Sequence, residues 1–110
     1  MQSPWRLVSG GVTAPQGFAA SGIAAGLKPS GKPDLALLLA PEAAACAGAF
    51  TTSVVRAACV DLCHERLEST GGRARTVLIN SGQANACTGD RGLIDSQRAT
   101  QALADQLGLD

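Results

Sequence analysis

The sequence has no excess of charge of either sign, because nine basic residues balance nine acidic ones. Nucleic acids and anionic membranes attract proteins through a basic surface, and the basic residues here are scattered along the chain. Only Arg73 and Arg75 lie close together, and such a pair before a predicted strand is typical of a solvated turn. We therefore expect no nucleic acid among the partners of this chain.

The sequence also lacks long apolar runs. Its most apolar region, residues 35–50, is interrupted by Pro41 and Glu42 and falls short of the roughly 20 residues that a membrane helix needs. The first residues do not form the charged and apolar regions of a targeting signal. We expect no membrane partner and a cytoplasmic location. A composition of 45% hydrophobic and 16% charged residues is typical of a folded chain, and its length allows one domain at most.

Histidine is nearly absent, since His64 is the only one, and the chain has four cysteines. Without a secretory signal, we expect four reduced thiols, mostly buried as small apolar residues. A zinc site usually takes four ligands from two separated pairs. Cys59 and Cys63 form one pair, but Cys46 and Cys87 are isolated. A nucleophilic Cys–His pair is rarely adjacent in sequence. The sequence therefore predicts no metal.

A phosphate-binding loop is excluded by one residue and by its context. Residues 26–33 have the spacing of the motif, Gly, four residues, Gly-Lys, but Pro33 stands where a Ser or Thr hydroxyl is needed. The motif also requires a following helix, whereas a strand is predicted here. No dinucleotide-binding glycine pattern occurs either, so we expect no cofactor.

The hydrophobic pattern and the turn residues predict four strands and two helices. Strands are expected at residues 19–27, 35–40, 43–52 and 76–79, and helices at residues 60–68 and 90–107. Residues 35–40 are predicted to be buried on both faces of a sheet. For the second helix, Thr88 or Asp90 can cap the start and Gly108 stands where a helix stops. Strands that alternate with helices predict a layered α/β fold.

The loop at residues 80–89 is the strongest candidate for a functional site. It follows a predicted buried strand and precedes a helix, where layered α/β proteins place ligands. It holds three carboxamides and two hydroxyls but no charge before Asp90. Carboxamides donate and accept hydrogen bonds without titrating, so they suit the binding of a carboxylate or amide better than acid–base catalysis. The same residue types are also ordinary turn formers, and composition alone leaves both interpretations open.

Residues 76–89, Thr-Val-Leu-Ile-Asn-Ser-Gly-Gln-Ala-Asn-Ala-Cys-Thr-Gly, resemble the signature of the ornithine acetyltransferase (glutamate N-acetyltransferase) family. That signature is an apolar strand followed by Asn-Ser-Gly-Asn-Ala-Asn-Ala-Cys-Thr-Gly. Gln83 stands where the family usually has Asn, which lengthens the side chain at that position. Further resemblances follow in the family's order, at residues 11–18, 26–31, 34–39 and 50–52.

The resemblance implies an enzyme of arginine biosynthesis that cleaves itself into an alpha and a beta segment. Cleavage would free a threonine at the start of the beta segment. Its hydroxyl would take the acetyl group of N-acetylornithine as an acyl-enzyme and pass it to glutamate, with an oxyanion hole formed by a Thr-Gly pair. The implied fold is a layered α/β sandwich of the self-cleaving amidohydrolase kind, of which this chain would be an incomplete part.

The resemblance places residues 1–110 in the N-terminal part of the alpha segment, and no catalytic residue can be assigned within them. The nucleophilic threonine and the oxyanion pair would lie beyond Asp110, and Thr88-Gly89 is not that pair. The expected partners are the rest of the alpha segment and the beta segment, in a hetero-oligomer. The expected substrate-side residues are Asn80, Ser81, Gly82, Asn85 and Thr88.

Three functions remain open from the sequence. The first is an N-terminal part of an acetyltransferase that is inactive alone. The second is a non-catalytic truncated relative that folds alone or pairs with another chain as a structural module. The third is a small cysteine–metal protein. Cooperative unfolding of a monomer would favour the second, and stoichiometric zinc would favour the third.

Overall fold

The computed structural model describes residues 1–109 and forms one antiparallel sheet with two helices. Asp110, the last residue of the predicted domain, lies outside the described residues. The predicted α/β class with two helices is confirmed. The elements are β1 (Ala19–Ile23), β2 (Leu35–Ala45), α1 (Ala58–Ser69), β3 (Arg73–Asn80) and α2 (Gly89–Leu107).

The sheet has the order β1-β2-β3, and the pairing register sorts its side chains between two faces. Leu35 lies opposite Asn80, and Leu37 lies opposite Leu78. Because directly paired residues point to the same face, these four side chains share one side. Leu62 of α1 borders the same cavity as Leu35, Leu78 and Asn80, so the helices lie on this face of the sheet.

The prediction of a separate strand at residues 43–52 is wrong. β2 continues through Pro41 to Ala45, and residues 46–57 form neither strand nor helix. The register shifts between Leu39 and Ala44, which leaves residues 40–43 as a bulge opposite β3. A bulge tolerates proline because the missing N–H is not needed for the ladder.

Two arginines of β3 satisfy the carbonyl groups of this bulge. Arg75 Nε donates to the Ala40 carbonyl at 3.2 Å, and an Arg73 guanidinium N–H donates to the Ala43 carbonyl at 3.0 Å. Backbone groups that leave a ladder need other partners, and these side chains supply them. Arg73 and Arg75 thus stabilise the bulge by hydrogen bonds. They do not lie in a solvated turn, as the sequence predicted.

The predictions of both helices are confirmed at their ends within two residues. Gly108 ends α2 in the left-handed conformation, with φ of 62°, as a helix stop requires. Thr88 occupies the position before α2, but its side chain makes no capping bond. Its hydroxyl instead lies 3.5 Å from the Asn85 carbonyl, so the prediction of a side-chain cap is wrong.

Very few residues are buried. Among residues 1–109, only Ala40, Leu62 and Asp34 are buried. The accessible surface is 8588 Å², whereas a self-contained protein of 11.1 kDa exposes about 5,700 Å². The radius of gyration is 15.8 Å, against about 13 Å for a domain of this length. This chain therefore leaves much of its apolar surface uncovered.

The uncovered surface includes the sheet face opposite the helices. Val77 and Ile79 of β3 are 43% and 53% exposed there. The residues before Ala40 in β2 are half-buried rather than buried on both faces, so that prediction is wrong for this chain. The prediction of mostly buried cysteines is also wrong, since three of the four are exposed and Cys46 is half-buried. Neither helix described within residues 1–109 combines the length and apolarity that crossing a membrane requires.

Candidate functional site

A cavity of about 630 Å³ lies between the sheet, the two helices and the loop that joins β3 to α2. We call residues 80–89 the Asn-rich loop. The cavity has an apolar floor formed by Leu35, Leu62 and Leu78. Its rim is polar and is formed by the Asn-rich loop and by one face of α2. A largely apolar cavity with a few converging polar groups is the usual form of a small-molecule site.

The structure brings together three of the five residues expected on the substrate side. Asn80, Asn85 and Thr88 all border the cavity. Gln83 borders it as well, although its longer side chain departs from the family signature. Because β3 ends at Asn80 and α2 begins at Gly89, the sequence between them must cross the open end of the cavity.

Ser81 and Gly82 lie elsewhere. Ser81 borders a smaller cavity of about 120 Å³ on the opposite side of the sheet, together with Gly22 and Asp34. Its amide donates to the Asp34 carbonyl at 2.8 Å. Gly82 lies against the side chain of Lys28. These two residues contact the β1–β2 connection and not the main cavity.

The side chains of the two asparagines that border the cavity are hydrogen-bonded to each other. Asn85 Nδ2 donates to Asn80 Oδ1 at 3.2 Å. Asn80 is fixed by the end of β3, where it pairs with Leu35, so the bond ties the middle of the loop to the sheet. The remaining donors and acceptors of both carboxamides can meet a ligand or another part of the protein.

Residues of α2 complete the polar rim, and sequence reasoning missed them. Their spacing of three and four residues places them on one helix face, which is the signal that could have identified them. A search for apolar faces passes over this part of α2 because it is polar. The missed residues are Arg91, Gly92, Asp95, Ser96 and Thr100.

Gly92 is needed where the Thr88 side chain lies against the first turns of α2. A Cβ atom at this position would collide with Thr88 Oγ1 and would lie 3.6 Å from the Ala58 Cβ atom of α1. Glycine inside a helix normally destabilises it, so a close approach is a physical reason for its presence. The Thr88 side chain therefore packs over Gly92 at the edge of the cavity.

The charges at the rim balance each other. Arg91 Nε lies 3.5 Å from Asp95 Oδ2, and both side chains are more than half exposed. An exposed pair at this spacing stabilises a helix by about 0.3–0.5 kcal/mol. Among the described residues that border the cavity, none is a buried carboxylate or histidine tuned for proton transfer. The cavity is thus equipped for hydrogen bonding rather than for acid–base chemistry.

One thiol beside the cavity, that of Cys63, is kept neutral by its surroundings. Partial burial raises the pKa of the Cys63 thiol, and the neighbouring Cys59 and Cys46 add to the effect. A raised pKa keeps the thiol neutral and lowers its reactivity. No group of three or more His, Cys, Asp or Glu side chains within residues 1–109 is arranged to hold a metal ion.

Backbone strain is found in the same loop. Cys87 has a φ of 57°, the left-handed region that costs a residue with a side chain about 1–2 kcal/mol. Such residues persist only where their surroundings hold them, and they often occur at functional loops. Nothing in the sequence marks Cys87 as strained.

Asp34 has a buried carboxylate. Sequence analysis identified this residue as the one before a predicted strand and gave it no further role. It is 3% exposed. Its Oδ1 accepts the Ala25 amide at 2.6 Å and its Oδ2 accepts the Lys28 amide at 2.8 Å. The bond from Ala25, followed by that from Lys28, lowers the pKa of Asp34 below the ordinary value of an aspartate, against a smaller opposing effect of burial.

The Asp34 carboxyl is expected to titrate below about pH 4, the range of a free aspartate. Since its folded-state pKa is lowered, the unfolded chain takes up the proton first as the pH falls. The stabilisation by Asp34 is therefore present above about pH 4 and is lost at lower pH. The ¹³C shift of the Asp34 carboxyl, followed against pH, measures this. A midpoint at or above that of a free aspartate would contradict the bonds described here.

Comparison with known proteins places these features in one family. The model of the ArgJ family matches residues 19–110. The protein of Parasynechococcus marenigrum (strain WH8102) called arginine biosynthesis bifunctional protein ArgJ is 87% identical over the whole chain. The protein of the same name from Prochlorococcus marinus (strain MIT 9313) is 71% identical over 99% of the chain. The chain spans 27% and 26% of the lengths of these relatives.

Two solved structures share the fold. The ornithine acetyltransferase of Mycobacterium tuberculosis, crystallised with ornithine, superposes with a TM-score of 0.81 at 46% identity, over 89% of this chain and 50% of that one. The arginine biosynthesis bifunctional protein from Bacillus halodurans gives a TM-score of 0.86 at 34% identity, over 92% of this chain and 52% of that one. The arrangement of sheet, helices and Asn-rich loop is thus one that crystal structures contain.

Proposed function

The chain belongs to the ArgJ family, and on that premise we propose that it is the N-terminal part of an acetyltransferase of arginine biosynthesis. The longer protein would move the acetyl group of N-acetylornithine to glutamate. The observation that carries this proposal is the 46% identity and shared fold with an ornithine acetyltransferase that was crystallised with ornithine. The cytoplasmic location stays a prediction from the sequence.

The lengths of the relatives support a protein made of two segments. The whole of this chain covers only 27% of one curated relative. A slightly shorter stretch, 89% of this chain, already covers 50% of the crystallised chain. The crystallised chain is therefore roughly half as long as the curated relative. Such a division is expected of a precursor that cleaves itself near its middle.

The chemistry that we propose uses a threonine at the start of the second segment. Its hydroxyl attacks the acetyl carbonyl of N-acetylornithine, the amide C–N bond breaks, and ornithine leaves with the hydroxyl proton. The α-amine of glutamate then attacks the resulting ester, which frees the threonine hydroxyl. The nucleophile and the oxyanion donors lie outside this chain, and no residue here takes a catalytic role.

The contribution of this chain would be a wall beside the active site. The Asn-rich loop borders a cavity with a polar rim, and its paired carboxamides can hold a substrate group or shape the loop that faces it. Asn80, Asn85 and Thr88 are the proposed members of that wall, with Gln83 beside them. Ser81 and Gly82 would support it from the other side.

The exposed surface supports partners within the same protein. The accessible surface of 8588 Å² exceeds that expected for this mass by about 2,900 Å². We propose that the rest of the alpha segment and the beta segment pack on the open sheet face at Val77 and Ile79. The assembled protein would then be a hetero-oligomer of the two segments.

The intact mass of the protein from its native source, under denaturing conditions, tests this proposal. We expect two species, each clearly larger than the 11.1 kDa of this chain. Replacing the residue at the start of the second species with alanine should leave one uncleaved precursor. A single species with the mass of this chain alone would contradict the proposal. The resemblance to acetyltransferases would then reflect common ancestry and not a shared activity.

A further inference from the structure

Two loops meet beside the candidate site and are joined by Asp34. The first loop, residues 24–34, connects β1 to β2, and we call it the hairpin loop. The second is the Asn-rich loop. The Asp34 carboxylate binds the amides of Ala25 and Lys28 within the hairpin loop, while its backbone carbonyl accepts the Ser81 amide at 2.8 Å. One residue thus organises its own loop and holds the start of the other.

Lys28 makes the second connection between these loops. Its aliphatic stem lies so close to Gly82 that a Cβ atom there would collide with Lys28 Cγ and would lie 3.4 Å from Cε. Gly82 also has a φ of 94°, which disfavours a side chain. The Lys28 ammonium donates to the Pro33 carbonyl at 3.0 Å, which turns the side chain back along its own loop.

The segment that resembles a phosphate loop therefore has another use. In a phosphate loop, backbone amides are free to bind the phosphate. Here the Lys28 amide is bound to the Asp34 carboxylate, and its ammonium is bound to a backbone carbonyl. Within this segment, the Lys28 stem makes the contact with Gly82 of the Asn-rich loop.

We propose that Asp34 and Lys28 are positioning residues that hold the Asn-rich loop, so that Asn80 and Asn85 keep their places in the cavity wall. The inference deepens the proposed function and rests on it for its activity readout. It also explains why Ser81 and Gly82 belong to the signature although they do not border the cavity. Each is the point at which the hairpin loop contacts the Asn-rich loop.

Only a carboxylate satisfies the Asp34 position. Its two oxygens each accept one backbone N–H. The isosteric Asp34→Asn side chain offers one oxygen and one NH₂ group, so one backbone N–H would face a donor instead of an acceptor. That variant keeps the volume of the side chain and removes one of the two bonds.

The variants are made in the full-length protein of two segments. Asp34→Asn removes one carboxylate bond, and Lys28→Ala removes the stem that lies on Gly82. Lys28→Met keeps an unbranched stem and removes the charge together with the hydrogen bond to the Pro33 carbonyl. Lys32→Met is the matched control, since it changes an exposed lysine of the same loop for which no side-chain hydrogen bond is seen within residues 1–109. Lys28 is half-buried, so its variants are expected to fold even where Asp34→Asn does not.

Hydrogen exchange of the Ser81 amide gives a readout that does not depend on activity. We expect exchange of this amide to rise about tenfold or more in Asp34→Asn and Lys28→Ala, while amides at residues 95–105 of α2 stay unchanged. Lys28→Met and Lys32→Met should match the wild type. Unchanged exchange at Ser81, or an equal rise throughout the protein, would overturn the inference.

Kinetics shows whether the positioning matters for the reaction. The kcat/KM of acetyl transfer is expected to fall about tenfold in Asp34→Asn and in Lys28→Ala, because small displacements of a site wall are costly. In an Asn85→Ala background the same changes should lower kcat/KM by less than about twofold, since coupled residues are not additive. Additive losses would overturn the inference. A wild type without acetyl transfer would overturn the proposed function, and the Ser81 exchange would still decide the inference.

Discussion

The 110-residue chain, purified alone, is expected to show no acetyl transfer from N-acetylornithine to glutamate, whereas the full-length protein is expected to catalyse it. The reason is chemical. Among the side chains that border the cavity within residues 1–109, the Cys63 thiol has a pKa that burial raises, and the polar groups are mainly carboxamides, hydroxyls and one exposed ion pair. The reacting threonine of the proposed mechanism belongs to the other segment.

The same chain is expected to unfold without a sharp transition. Cooperative unfolding needs a core, and only Ala40 and Leu62 are buried apolar residues within residues 1–109. The surplus of about 2,900 Å² of surface exceeds the share that one partner buries in most permanent interfaces, about 1,000–2,500 Å². A chain in that state binds hydrophobic dyes and keeps its helices while it loses fixed packing.

The measurement compares the chain with the full-length protein at equal molar concentration. Activity, the near-ultraviolet circular dichroism melt and dye binding are recorded for both. Acetyl transfer by the chain alone would contradict the location of the nucleophile in a second segment. A monomer with a sharp transition and no dye binding would instead favour a non-catalytic module that folds by itself.

Local patterns in the sequence predicted the second half of the fold. β3 and α2 show a β-branched run and a periodic helix with a glycine stop. The structure has α2 within one residue of the prediction, and it extends the strand predicted at residues 76–79 to residues 73–80. These signals lie within the elements that they describe. Propensity and periodicity are most reliable in that situation.

The course of β2 could not be predicted in this way. Pro41 and Glu42 indicate a break, and the structure keeps the strand going because Arg73 and Arg75 supply hydrogen bonds from β3. Those donors lie far away in sequence, on a strand that follows an intervening helix. A contact of that kind overrides the local preference of a proline, and no local pattern shows it.

The candidate site was predicted from the Asn-rich loop but not from the elements around it. Asn80, Asn85 and Thr88 stand in one motif and meet at one cavity. The part of α2 that faces them is polar, so a search for apolar faces passes over Arg91 and Asp95. That the loop residues act on the substrate stays a prediction.

Asp34 shows a further limit of sequence reasoning. A single aspartate before an apolar run is ordinary, and nothing local says that it is 3% exposed or that it accepts two backbone amides. Its role becomes visible only when the hairpin loop and the Asn-rich loop are seen together. The distance along the chain from Asp34 to Ser81 hides that contact.

Asn85→Ala in the full-length protein is expected to lower the kcat/KM of acetyl transfer about 100-fold. The change removes the donor that lies 3.2 Å from Asn80 Oδ1, so the cavity wall loses the Asn85 carboxamide and the Asn80 carboxamide loses its hydrogen-bond partner. The unfolding free energy should fall by only about 1 kcal/mol, because Asn85 is half-buried and its bond is a single neutral one. A large kinetic effect with a small effect on stability is what separates a site wall from an ordinary turn.

Gln97→Ala is the matched control for that change. Gln97 is also a carboxamide, it lies on α2, and it is exposed and does not border the cavity. Its replacement should leave kcat/KM within about twofold of the wild type, as surface changes usually do. An equal loss in both variants would show that the carboxamides act through the stability of this region. If Asn85→Ala itself kept wild-type kcat/KM, the loop would be a turn that merely connects β3 to α2, and the wall of the active site would have to lie in the remainder of the protein.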